Sequence, residues 1–169
     1  MSRTAAEHRS QSPTRVGCAV VTVSDTRTLE TDSGGATIVE LLTAAGHEIV
    51  AREIVPDEPR QLRSLLVALS NRPELDVLLV TGGTGISRRD RTFETVAELL
   101  DKQIPGYGEL FRWLSFQEIG PAAMLSRTIG GLIGQTAVLT MPGSPHAVRL
   151  AMEKLILPEL GHLVREAKR

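Results

Sequence analysis

The sequence predicts an α/β protein, a three-layer α/β/α sandwich on a mostly parallel central sheet. Three observations carry that prediction. Residues 16–23 and 76–80 are short runs, nearly continuous in apolar and β-branched side chains, as strands covered on both faces are. Segments with apolar residues at helical spacing alternate with strand-like ones. Gly, Pro, Asn and Asp mark the joints between them. Such alternation produces parallel strands joined by right-handed helical crossovers.

Taken in order, residues 1–15 are rich in Ser, Arg and Thr and read as a flexible tail before a single domain, 16–169. The first strand, 16–23, stops at Ser24-Asp25-Thr26, and a polar loop continues to Gly35. Ile38, Leu41, Leu42 and Ala45 then recur at helical spacing, with Gly46 placed to end the helix. Residues 47–55 form a weaker strand candidate because Glu48, Arg52 and Glu53 interrupt the apolar pattern. At Pro56-Asp57-Glu58-Pro59 the chain turns, and Asp57 is placed to cap a helix striped by Leu62, Leu65, Leu66 and Leu69. Asn71-Arg72-Pro73 closes that helix, and the strand 76–80 follows, leading straight into Thr81-Gly82-Gly83-Thr84-Gly85. Val96, Leu99 and Leu100 indicate a further helix, broken before Ile104-Pro105-Gly106. Residues 109–117 form a short helix in which Leu110, Phe111, Trp113 and Leu114 supply packing surface. The segment 128–133 is ambiguous: Gly130 and Gly131 disfavour a helix and permit a hairpin with 136–140. Ser144 is placed as N-cap and Pro145 as first residue of the last long helix, striped by Val148, Ala151, Met152 and Leu155.

A chain of 169 residues is long enough for one core. Nineteen basic and twenty acidic residues leave a formal charge of -1, so no global field draws nucleic acid or anionic lipid, and neither is an expected partner. Anion selectivity must be local. The single Cys18 excludes an intramolecular disulfide and a cysteine-rich zinc site, and its apolar neighbours mark it as a buried structural thiol. The first fifteen residues lack the hydrophobic segment of a secretory signal, which makes a cytoplasmic location the default expectation. No later stretch reaches the roughly 20 apolar residues that span a bilayer. The histidines, at 8, 47, 146 and 162, lack metal-site spacing.

In a parallel sheet ligands collect beyond the carboxyl ends of the strands. Three loops there have suitable chemistry: Ser24-Asp25, the segment from Thr81 to Thr92, and Pro142-Gly143-Ser144. Gly82, Gly83 and Gly85 let backbone N–H groups approach an anion, and Thr81 and Thr84 add hydroxyls. Neither a dinucleotide fingerprint nor a nucleoside-triphosphatase loop is formed: Arg88 stands where a third glycine would, and no Gly-Lys-Ser/Thr follows. Asp90, bracketed by Arg88, Arg89 and Arg91, either caps a helix or shares a Mg²⁺-assisted phosphate site. Asp57 faces the same alternatives, and spacing alone favours the cap. Asp25 and Asp32 can bind a ligand or make turn bonds. Glu109 and Arg112 read equally as a surface pair, Arg127 as an anion contact or a solvated side chain, and Ser144 as a cap whose helix end also receives an anion.

Taken together, Thr81-Gly82-Gly83-Thr84-Gly85, Arg89-Asp90 with Thr92, Ile104-Pro105-Gly106-Tyr107-Gly108-Glu109 with Arg112 and Ser115, Ser126-Arg127, and Pro142-Gly143-Ser144-Pro145 resemble the molybdopterin adenylyltransferase family of molybdenum cofactor biosynthesis proteins. Val23-Ser24-Asp25, Asp32-Ser33-Gly34 and Pro56-Asp57-Glu58 fit too, so the resemblance runs from Val16 to His162. It departs at Arg88, where the family often has proline, and at Thr95, where alanine is common.

The resemblance implies that ATP and molybdopterin are the substrates, that Mg²⁺ is required, and that AMP passes to the terminal phosphate of the pterin with release of pyrophosphate. On that implication Asp57 and Asp90 are the catalytic and Mg²⁺-binding carboxylates, which reverses the cap reading of Asp57. Substrate binding falls to Ser24, Asp25, Thr81, Gly82, Gly83, Thr84, Gly85, Pro142, Gly143 and Ser144, with Glu109, Ser115, Ser126 and Arg127 as secondary contributors. A homo-oligomer, trimer or hexamer, is implied, with Phe111, Trp113 and Phe116 as interface candidates, as is transient contact with other molybdenum cofactor enzymes. A noncatalytic molybdopterin-binding or assembly protein is the alternative function.

Overall fold

A computed structural model describes residues 12–169; most of the expected tail, residues 1–11, lies outside the described residues. The chain forms a six-stranded sheet in the order β2-β1-β3-β6-β5-β4. Strands β1 (Gly17–Val23), β2 (Glu48–Val55), β3 (Val77–Thr81) and β6 (Thr136–Met141) run parallel. Between β6 and the edge strand β4 (Lys102–Gln103) lies β5 (Gly130–Ile133), antiparallel to both. The ambiguous 128–133 segment is thus resolved as a hairpin strand. The expected three-layer, mostly parallel architecture is the one observed.

Alternate residues along the strands feed two apolar layers, as the period of two requires. Val20, Leu79, Leu139 and Met141 face one side, where they meet Ile38 and Leu42 of α1 (Ser33–Ala44), Phe111 of α4 (Pro105–Ile119) and Val148 of α5 (Pro145–Ala151). A π-helical turn, Met152–Ile156, joins α5 to α6 (Leu157–Ala167), and this length is the predicted last long helix. The other face carries Val21, Leu78, Val80 and Val138 against Leu62, Leu66 and Leu69 of α2 (Pro59–Ser70) and Val96 of α3 (Thr92–Ala97). Burying each such side chain contributes about 1.5–3 kcal/mol. Cys18 lies in the first layer, where burial and then Asp76 push its thiol up to about 12, as befits a structural residue.

Two expectations are corrected. The helix read at 109–117 begins four residues earlier, at Pro105, and of its aromatic residues Tyr107 and Phe111 are buried; Leu110, Trp113 and Phe116 face outward. Helix α2 is capped at Glu58 with no side-chain bond, so Asp57 does not serve as its cap. No described helix is long and apolar enough to cross a membrane.

Candidate functional site

Because β1, β2, β3 and β6 are parallel, the loops that follow them emerge on one edge of the sheet. Neighbours β1 and β3 lead on to helices on opposite faces, so the chain diverges there and leaves a crevice. The glycine loop occupies it. Gly82 and Gly83 have φ of +98° and +63°, values that exact a cost from any residue with a Cβ. At Gly82 a Cβ would also strike the Val23 carbonyl oxygen, while its N–H donates to the Met141 carbonyl at 3.0 Å. Gly82 therefore ties three strand ends together.

At the next glycines, carboxylates fill the space a side chain would take. A Cβ on Gly83 would lie 2.8 Å from Asp57 Oδ2, and one on Gly85 would lie 2.8 Å from Asp90 Oδ2. Asp57 Oδ1 accepts from the Arg91 N–H at 3.2 Å, and the Asp57 N–H donates to Asp25 Oδ1 at 3.2 Å. Asp25 in turn pairs with Arg89 at 2.6 Å. Asp90 Oδ2 accepts from the Ser87 N–H at 2.9 Å, closing its own turn; the residue at the N-cap of α3 is Arg91, without a side-chain cap. The helix-cap readings of both aspartates fail, and both carboxylates are aimed at the loop. Partial burial raises the Asp57 carboxyl above its ordinary range; the Arg91 hydrogen bond opposes this, and the charges of Asp90 and Asp25 add to it.

Arg127 holds this loop from the side. Its N–H donates to the Thr84 carbonyl at 3.1 Å, its Nε to the Gly85 carbonyl at 2.7 Å and its Nη2 to the Asp90 carbonyl at 2.7 Å. Nη1 pairs with Glu94, and the guanidinium lies 5.5 Å from the centre of the Phe93 ring. Partial burial pulls Glu94 upward, but the bond from Arg127 outweighs it and leaves the carboxyl below its usual range. The guanidinium thus braces loop carbonyls while remaining 27% exposed beside two clefts. Glu94 and Phe93 escaped the sequence reading because their partner is distant in the chain.

A cleft of about 370 Å³ opens beside the loop, lined among others by Gly83, Thr84, Gly85, Asp90, Ser115 and Ser126. Pro142, Gly143 and Ser144 form its far wall, and Ser144 caps α5 by accepting from the Ala147 N–H at 3.3 Å. This is the expected convergence of the β3 and β6 loops. Ser24, Asp25, Asp57, Thr81 and Gly82 do not line it. Ser24 Oγ accepts from the N–H groups of Thr26 and Arg27, and the buried Thr81 hydroxyl donates to the Pro142 carbonyl at 3.1 Å. Asp32 is also structural: it caps α1 through the Gly35 N–H, accepts from the Thr22 hydroxyl and pairs with Arg52. Glu109 lies in an adjoining cleft that also includes Ser126 and Arg127. Among the described residues no three His, Cys, Asp or Glu side chains gather as a metal cluster.

The family described as "Probable molybdopterin binding domain" matches residues 19–162. The chain is 53% identical over 164 residues to "Molybdenum cofactor biosynthesis protein B" of Bacillus cereus, covering 96% of this chain and 97% of that one. A crystal structure of a molybdenum cofactor biosynthesis protein B superposes with a TM-score of 0.91 at 54% identity, over 94% of this chain and 99% of the other. For the tungsten cofactor synthesizing protein MoaB from Pyrococcus furiosus the TM-score is 0.81 at 36% identity, over 93% of this chain and 99% of that one.

Proposed function

The chain belongs to the molybdopterin-binding domain family of molybdenum cofactor biosynthesis proteins, and from that membership we infer that it transfers AMP from ATP to the terminal phosphate of molybdopterin, releasing pyrophosphate. The supporting observation is the approach of Asp57 and Asp90 to Gly83 and Gly85, which puts two carboxylates beside the glycine loop.

In such a transfer the terminal phosphate of the pterin attacks the α-phosphorus of ATP, so no side chain need become covalently attached. The protein's part is to align two anions that repel each other and to offset charge as it develops. Amides of the glycine loop and the capped start of α5 are suited to phosphate oxygens. Arg127 holds the loop carbonyls, which keeps Asp90 at the cleft while its own charge is balanced by Glu94.

Two carboxylates fit Mg²⁺, which is commonly held by one or two of them plus substrate phosphates. The raised Asp57 carboxyl, crowded by Asp90 and Asp25, is a place where a cation relieves repulsion. Asp57 and Asp90 would hold the ion, which when bound supplies charge neutralisation at the phosphates. The outward-facing Leu110, Trp113 and Phe116 supply apolar surface for the proposed homo-oligomer.

Purified protein incubated with molybdopterin, ATP and Mg²⁺ should yield adenylylated molybdopterin by mass spectrometry. Asp57→Asn and Asp90→Asn should each lower turnover by about 100-fold or more, with melting temperatures close to wild type. Molybdopterin binding without adenylylated product would favour the noncatalytic reading; full turnover in both variants would remove their assigned role.

A further inference from the structure

The family resemblance puts Asp25 among the substrate-binding residues, but in the fold it lies outside the cleft and both of its carboxylate oxygens are engaged by protein groups. Oδ1 accepts from the Asp57 N–H at 3.2 Å, and Oδ2 pairs with Arg89 at 2.6 Å. Its turn is anchored to the end of β2: the Ser24 N–H donates to the Val55 carbonyl at 2.9 Å, and Ser24 Oγ accepts from the N–H groups of Thr26 and Arg27. Asp25 thus stands on a fixed base.

These contacts close into a ring. From Asp25 the ion pair leads to Arg89; two residues on, the Arg91 N–H donates to Asp57 Oδ1 at 3.2 Å, and the Asp57 N–H returns to Asp25. Asp90 sits between the two anchoring arginines. The Thr92 N–H, donating to the Gly83 carbonyl at 3.1 Å, ties the end of the segment back to the glycine loop. Residues 89–91 therefore hold Asp57 twice, directly through Arg91 and indirectly through Asp25, while carrying Asp90 themselves. The ring gathers three carboxylates that repel one another, and Arg89 is the cation that offsets one of them.

Stability does not account for this arrangement. The Arg89 side chain is 73% exposed and that of Asp25 37%, and an exposed pair contributes about 0–1 kcal/mol. What the ring fixes is relative placement, with Asp57 Oδ2 beside Gly83 and Asp90 Oδ2 beside Gly85. Mg²⁺ demands near-ideal octahedral geometry with oxygens at about 2.0–2.1 Å, so a small displacement of either carboxylate weakens its hold.

We propose that Asp25 and Arg89 are positioning residues, which set the spacing of Asp57 and Asp90 for a shared divalent cation and do not themselves touch substrate. The proposal rests on the Mg²⁺ reading of the two aspartates and adds to it what keeps them in register.

Mn²⁺ alone, standing in for Mg²⁺, can be titrated into the full chain and the free ion followed by electron paramagnetic resonance, with no substrate present. Asp25→Ala removes both contacts and should weaken Mn²⁺ by ~10-fold, the scale of one lost hydrogen bond to a charged group. Asp25→Asn keeps an oxygen for the Asp57 N–H and should lose only roughly 3-fold, as should Arg89→Gln, the scale of an exposed ion pair. Arg89→Lys should restore wild-type affinity. In the Asp25→Ala background Arg89→Gln should add nothing, since both act through one chain of contacts. Melting temperatures should move by less than about 4 °C, which separates misplaced carboxylates from misfolding. In turnover the loss should fall on kcat, with KM for molybdopterin within about two-fold of wild type.

Wild-type Mn²⁺ affinity in both Asp25→Ala and Arg89→Gln would overturn the proposal. So would a raised KM for molybdopterin at constant kcat in Asp25→Ala, the mark of a direct substrate contact. Asp57→Asn and Asp90→Asn report on the reading beneath it: if they bind Mn²⁺ as tightly as wild type, or if wild type binds none, the shared ion falls and the positioning role with it. Loss of Mn²⁺ in those two variants beside unchanged binding in Asp25→Ala sinks the positioning role alone.

Discussion

Gly82, Gly83 and Gly85 after β3 and Gly130 and Gly131 in β5 all leave out a side chain, but different neighbours use the space. In the loop the backbone of Gly82 and Gly83 is left-handed, and the room beside Gly83 and Gly85 belongs to the carboxylates of Asp57 and Asp90. In β5 neither glycine has a positive φ. The Tyr107 ring and Leu139 press on Gly130, and the Lys102 carbonyl and Leu100 on Gly131. One cluster makes space for charge, the other for packing. Tyr107 confirms the second role, since its buried hydroxyl donates to the Thr140 carbonyl at 2.8 Å and locks α4 against the sheet.

This contrast can be broken by substitution. The largest effect is expected at Gly83→Ala, which forces a left-handed alanine and displaces Asp57 and Thr92; turnover per folded molecule should fall by about 100-fold or more. Turnover within a few-fold of wild type would show that the carboxylate position is not critical. Gly131→Ala should instead cost about 1–3 kcal/mol in urea denaturation, since a backbone oxygen cannot yield as a flexible side chain does, with ligand affinity of the folded fraction unchanged. A fall in ligand affinity there would mean that β5 acts on the site directly.

The smallest effect is a pH signature at Asp57. Its folded carboxyl titrates above its unfolded value, so between the two values the folded state holds more protons, and stability falls as pH rises through that window. Asp57→Asn should therefore be slightly more stable than wild type at neutral pH without metal, the difference vanishing below the ordinary carboxylate range. Thermal melts across pH 3–8, a span of roughly those limits, would test this.

The parallel half of the fold was legible because its strands are apolar on both faces and its helices carry clear stripes. Strand β4 was not: Lys102 and Gln103 are exposed and polar, and only pairing with β5 makes them a strand. The glycine loop could be located from its place after a buried strand, but the aspartates were ambiguous, since local spacing offered each a helix to cap. Tertiary packing decided against both caps, as the family resemblance had implied for Asp57 and Asp90 alike. Arg127 shows the remaining limit. Its residue type suggested an anion contact, and only the 42-residue reach to the Gly85 carbonyl reveals a brace. Trp113 had no local signal separating an inward from an outward helix face.

The reversal of a single strand, β5, has a consequence for how such a protein can diversify. The ends of β3 and β6 are bound into one another through Gly82 and Thr81, so a change in either loop disturbs the other. The approach to β5, from Gly120 to Ile129, comes to the same rim from outside that knot and fastens to it mainly through Arg127. Recasting that approach leaves the glycine loop in place only while Arg127 keeps its hold on the Gly85 and Asp90 carbonyls. One side chain thus couples the outer rim of the sheet to the loop that follows β3.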